Sequence, residues 1–114
     1  MEIEFYETEH GAKPALEFLN SLSPKLRTKM MRTVDLLEIY GPMLRFPESK
    51  ELNDGIMELR TSLGTDAIRV LYFFFIGNKA ILTNGFVKKT QKTPRTEIAL
   101  AKKYRMDYMR RNAQ

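Results

Sequence analysis

Residues 67–76, Ala-Ile-Arg-Val-Leu-Tyr-Phe-Phe-Phe-Ile, constrain this chain more than any other segment. β-Branched and aromatic side chains follow one another without polar alternation, so an extended segment here is apolar on both faces, as at the centre of a sheet. Leu71, Phe73 and Phe75 share one face and Val70, Tyr72 and Phe74 the other. Both faces then need a cover. The exception in the run is Arg69, a charge that is costly in an apolar strand without a partner.

The flanking segments supply the remaining elements. Glu2 to Glu7 alternates polar and apolar residues and predicts a half-buried strand. Lys13-Pro14 opens a short helix with Ala15, Phe18, Leu19 and Leu22 on one side. Ser23-Pro24 is an N-cap followed by proline at the first helical position, and Leu26, Met30, Val34 and Leu37 line the second helix until Gly41-Pro42 ends it. Residues 56–60, 67–76 and 79–87 predict three strands, the last two joined through Gly77-Asn78. Thr93-Pro94 caps a C-terminal helix with Glu97 in its first turn and Ile98, Ala101, Tyr104 and Tyr108 along one side. The expected fold is α+β, in the order β-α-α-β-β-β-α: a small, twisted, mainly antiparallel sheet with an N-terminal helical hairpin and a C-terminal helix. Its 114 residues fit one domain, 1–114.

Several functions are excluded early. The chain has no cysteine and one histidine, so thiol chemistry, disulfides and histidine-rich metal centres are out, and no cofactor or metal is expected. No P-loop, GxGxxG, HExxH or GxSxG pattern occurs. The longest apolar run, Val70 to Ile76, is short of the roughly 18 residues of a membrane span. The N-terminus carries Glu2, Glu4, Glu7 and Glu9 and does not read as a signal peptide, so a cytoplasmic location is expected. Charge is the stronger pointer. Residues 88–114 hold nine Lys and Arg against Glu97 and Asp107, a net +7, while residues 1–87 sum to −2. Such a tail fits a polyanionic partner, or a solvated helix face.

A turn at Gly77-Asn78 predicts Arg69 opposite Phe86 and Lys88 opposite Ala67. Symmetric closure of residues 61–66 predicts Glu58 opposite Arg69 and Arg60 opposite Ala67, which sends Glu58, Arg60, Arg69 and Lys88 from one end of one face. Arg69 is then either half of a structural ion pair with Glu58, the reading that spacing favours, or an arginine oriented by Glu58 for a phosphate. Metal-free RNA cleavage needs a proton taken from a 2′-hydroxyl, charge stabilised on the phosphate and a proton given to the 5′-oxygen. Lys88, Lys89 and Lys92 are the candidate proton carriers, since a lysine among cations has a lowered pKa. Arg69 and Arg60 are the charge stabilisers. Lys50, Arg95, Lys102 and Lys103 are candidate RNA contacts; Phe86 or Tyr72 either stacks on a base or packs in the core. His10 is placed in a loop, facing solvent or structural.

Three blocks resemble a known family. Lys50-Glu51-Leu52-Asn53-Asp54-Gly55-Ile56-Met57-Glu58-Leu59-Arg60, Ile68-Arg69-Val70-Leu71-Tyr72-Phe73 and Asn84-Gly85-Phe86-Val87-Lys88-Lys89-Thr90-Gln91-Lys92-Thr93-Pro94 resemble, in order and spacing, the HigB-like, phage-derived (Gp49-like) branch of the RelE/ParE toxin superfamily. The resemblance implies a RelE-like fold and the toxin of a type II toxin–antitoxin system, an endoribonuclease that cuts translated mRNA in the ribosome. It implies a helix-turn-helix (HigA-like) antitoxin as partner, with operator DNA bound through that antitoxin, and no membrane. It maps the arginine that contacts the scissile phosphate to Arg69, the preceding arginine to Arg60 and the basic group after the last strand to Lys88 or Lys89. Where RelE itself has lysines before that arginine, this chain has Ile56 and Glu58. ParE-like relatives act on DNA gyrase without cleavage, which is the alternative activity; a non-catalytic RNA- or ribosome-binding module is the other. The apolar face bearing Leu71, Phe73 and Phe75 is expected to lie under the C-terminal helix or the antitoxin.

Overall fold

A computed structural model describes residues 1–113. The elements are β1 (Glu2–Phe5), α1 (Pro14–Ser21), α2 (Pro24–Tyr40), a 3-10 turn at Gly41–Met43, β2 (Ser49–Asn53), β3 (Ile56–Leu63), β4 (Asp66–Phe75), β5 (Lys79–Lys88) and α3 (Arg95–Arg111). The α+β architecture is the expected one, and it matches the RelE-like twisted sheet. Five strands lie in the order β1-β5-β4-β3-β2, with β1 parallel to β5 and every other pair antiparallel. β4 is central, as its two apolar faces require. On one face Leu59, Ile68, Val70, Tyr72, Ala80 and Leu82 meet Ala15 and Leu19 of α1 and Met30, Val34 and Leu37 of α2. On the other, Ile56, Leu71, Phe73, Ile81 and Phe86 pack with Ala101 and Tyr108 of α3. The C-terminal helix thus supplies the second cover within the chain itself. No helix among the described residues is long and apolar enough to cross a membrane.

The chain has one strand more than the sequence predicted. β2 reads Ser-Lys-Glu-Leu-Asn, with only Ser49 buried, so it carries no hydrophobic signal. It is an edge strand, and charged side chains are what an exposed edge carries. Asp54 and Gly55, both at positive φ, turn it tightly into β3. An Asp-Gly pair ahead of Ile56 was the available sign of this hairpin.

Two registers also differ, with different consequences. Between β4 and β5 the ladder starts one residue back from the expected turn, with Phe75 opposite Lys79 and Tyr72 opposite Leu82. A bulge at Thr83 then absorbs one residue, and Leu71 faces Asn84. Beyond the bulge the expected partners hold: Arg69 faces Phe86 and Ala67 faces Lys88. Thr83 Oγ1 donates to the Leu71 carbonyl at 3.1 Å, and Asn84 Nδ2 donates to Glu97 Oε1 of α3 at 3.0 Å. Between β3 and β4 the strands run on to Leu63 and Asp66, leaving only Gly64 and Thr65 as the turn. Arg60, not Glu58, therefore lies opposite Arg69. The slip is two residues, which preserves the face, so Glu58, Arg60, Arg69 and Lys88 still share it.

Gly85 sets the approach of α1 to the sheet. A methyl there would overlap Phe18 Cδ2 and lie 2.8 and 2.9 Å from Cε2 and Cγ. Gly85→Ala must push the ring and α1 outward, at a cost of about 1–3 kcal/mol. Urea unfolding is expected to show a lower midpoint at unchanged slope, and Gly85→Ala combined with Phe18→Leu should recover part of the loss. An unchanged midpoint in the single variant would mean that α1 does not seat on β5 as described.

A candidate anionic-ligand groove at the end of the sheet

α3 covers the β4 face only as far as its own N-terminus, and beyond that point the same face turns cationic. At its centre is Glu58 on β3, 1% exposed. Its Oε1 accepts from Arg60 Nη1 at 3.2 Å and lies 3.7 Å from Arg69 Nε. Its Oε2 accepts from Thr93 Oγ1. Thr93 is therefore not the helix cap predicted for it. Pro94 occupies that position without a side-chain bond, and the Thr93 hydroxyl ties the loop after β5 to the buried carboxylate.

Arg69 is 7% exposed. Its Nη1 donates to the carbonyls of Ile68 at 2.9 Å and Thr61 at 3.4 Å, and its Nε is buried without a hydrogen-bond partner. Glu58 lies too far from Nε to bond it, so the ion pair is Coulombic only. Burial, and then the Arg60 charge, lower the Arg69 pKa, with Glu58 opposing both; an arginine nevertheless stays protonated. Lys88 at the end of β5 is pulled below the usual lysine range, first by burial and next by Arg69. Two arginines thus flank the carboxylate and Lys88 shares a hollow with it, leaving a net +2 in this part of the face. That surplus fits an anion with several oxygens that takes hydrogen bonds from a guanidinium.

The space for such an anion is open. One hollow, about 470 Å³, is lined by Ala67, Arg69, Lys88, Lys89, Thr90 and Gln91. It shares Lys88 and Gln91 with a second, about 380 Å³, that also takes in Lys50, Glu58, Lys92, Thr93 and Arg95. Lys50 reaches this place because β2 sets it opposite Glu58. The strand missed in the sequence therefore carries one of the residues singled out in it.

Of the ten candidate residues, Arg69, Lys88, Lys89, Lys92, Lys50 and Arg95 line these two hollows, and Arg60 lines a third that shares Arg69 with the first. Lys102 is instead ion-paired with Asp54 at 2.7 Å, and Lys103 lies exposed on α3 outside these hollows. Phe86 is corrected outright. It is 9% exposed and packed in the α3-side core, so it offers no face to a base. Tyr72 is fully buried, with its hydroxyl 2.5 Å from Ser49 Oγ, and is core as well. Tyr104 stacks on Tyr6 with centroids 4.6 Å apart, while Tyr108 meets Phe73 and Phe75 edge-on. His10 is exposed beside Glu9.

Fold and groove together define a small α+β domain with a polycationic cleft at one sheet end. The chain belongs to the phage-derived Gp49-like protein family, whose pattern matches residues 17–106. A comparison with curated proteins finds no match. The matched span includes every residue of the groove and leaves out β1.

Proposed function

We propose that this chain is the toxin of a type II toxin–antitoxin pair, of the HigB-like kind: an endoribonuclease that cuts mRNA on the translating ribosome. The observation that carries this reading is the pairing of Arg60 and Arg69 with a single buried carboxylate, next to solvent-open hollows that Arg69 shares with Lys88 and Lys88 with Glu58, in a Gp49-like chain. The Lys88 amine takes the proton of the 2′-hydroxyl as the 2′-oxygen bonds to phosphorus. Arg69 and Arg60 hold the added negative charge of the pentacoordinate phosphate. The P–O5′ bond breaks, and the ammonium of Lys89 or Lys92 protonates the leaving oxygen, giving a 2′,3′-cyclic phosphate and a 5′-hydroxyl. Lys50 and Arg95 hold neighbouring phosphates. A helix-turn-helix antitoxin would block this chemistry in the cytoplasm and bring the complex to operator DNA.

Primer extension on a reporter mRNA during brief induction tests the activity. Discrete new 5′ ends inside translated codons are expected. Growth arrest with intact mRNA would replace this reading by a gyrase-directed, non-nucleolytic toxin. The proton-transfer role has its own test, the pH dependence of cleavage on programmed ribosomes. The base must be neutral, so the rate should climb with pH and level off below the ordinary lysine range. Lys88→Arg, which stays protonated, should lose that limb and about 100-fold in rate. Persistence of the limb in this variant would move the base to another residue.

A further inference from the structure

The groove does not stop at Arg69. On the other side of the β3 edge a hollow of about 410 Å³, within the range of ligand clefts, is lined by Lys29 and Arg32 of α2 together with Glu48, Arg60, Thr61 and Arg69. β2 pairs with β3 only from Ile56 to Leu59, so the edge past Arg60 is uncovered and the two sides communicate across it. Four cations face one carboxylate. Lys29 Nζ donates to the Ser62 carbonyl, which holds it over the edge, and Arg32 makes no ion pair among the described residues. Phe46, 67% exposed, lies against Arg60, whose guanidinium is 5.0 Å from its ring centroid, and the next residue, Pro47, lines the hollow. The stack fixes the ring from one side and leaves the other open.

We infer that Phe46 is a base-stacking platform, and Lys29 and Arg32 the phosphate clamp, of a second nucleotide subsite for single-stranded RNA, reached across the β3 edge from Arg69. The inference rests on the RNA reading above. Its chemistry is that of single-strand recognition: a cationic track for the backbone and an aromatic face for an unpaired base. It also supplies the stacking ring that burial denies to Phe86. Arg60 touches both subsites, through Glu58 on one side and Phe46 on the other, so a base seated on Phe46 fixes the guanidinium that serves the neighbouring phosphate.

The chain contains no tryptophan, so Phe46→Trp installs a single reporter at the site. The probe is a short 2′-O-methyl oligoribonucleotide of mixed sequence, which lacks the hydroxyl needed for cleavage and separates binding from activity. Labelled at one end, it reports binding by fluorescence anisotropy in low salt. The indole should be quenched as the oligonucleotide binds, and an abasic chain of equal length should bind without quenching. Phe46→Ala should weaken binding about 10-fold while Phe46→Tyr restores it. Lys29→Ala with Arg32→Ala should lower the slope of log affinity against log salt by about 1.4, two single-strand phosphates. Binding with no quench and no loss in Phe46→Ala overturns the subsite and leaves the RNA reading intact. No anisotropy change in wild type overturns the subsite as well, and the RNA reading then stands or falls on the new 5′ ends read by primer extension.

Discussion

Arg69→Ala is expected to convert an arresting protein into a tolerated one at equal expression, and to lower cleavage on programmed ribosomes by about 100- to 1000-fold, the usual cost of losing one preorganised charge stabiliser. The fold should survive. Glu58 keeps Arg60 and Thr93, so no buried carboxylate is stranded, and the lost bonds to the Ile68 and Thr61 carbonyls are worth about 1–2 kcal/mol. A melting curve measured alongside separates the two effects: toxicity falls far more than stability does. Full toxicity in a well-folded Arg69→Ala protein would remove Arg69 from the site and with it the mechanism proposed above.

Glu58→Gln should act the other way, on stability first. The substitution preserves shape and leaves two guanidinium groups near each other without their counter-charge. Removing one partner of a buried ion pair costs about 3–5 kcal/mol, and the partial exposure of Arg60 brings the expectation to about 3 kcal/mol. In a domain of this size that lowers Tm by roughly 10–20 °C. Inorganic phosphate or RNA should restore more stability to this variant than to wild type, because an anion then replaces the missing carboxylate. A Tm within a few degrees of wild type would show that Glu58 does not neutralise the arginines. Equal response to phosphate in both proteins would show that the ligand does not occupy the carboxylate's place.

The two expectations describe one device. A buried glutamate lets a central strand carry Arg69 through a fold that would otherwise expel it, and it leaves a surplus of positive charge facing the opening. The ion pair with Glu58 is thus compatible with the phosphate role proposed for Arg69: Glu58 offsets the cost of burying the guanidinium, and its distance from Nε leaves that donor unfilled.

Much of this was legible in the residues. Apolar runs on both faces of 67–76 required a central strand with two covers, because burial is the dominant driving force. Proline and capping patterns placed α1 and α2, and period-two counting put four charged groups on one face, since a slip of two residues leaves the face unchanged. Thr83 shows the limit of such counting. The turn was misplaced by one residue, and only an irregularity in the ladder restored the partners of Arg69 and Lys88.

The sequence by itself determined the layers, the parity of the faces and the concentration of cations near Arg69, all of which follow from local periodicity and burial. The tertiary structure alone decided which groups became neighbours. A polar edge strand of five residues delivered Lys50, a threonine read as a cap turned to Glu58, and two cations from α2 joined Arg60 and Arg69 in one hollow beyond the sheet edge, with Phe46 against Arg60. Those contacts depend on register, on where one strand stops and on how a helix crosses a sheet. Local composition does not encode them, because each is settled by the packing of segments far apart in the chain.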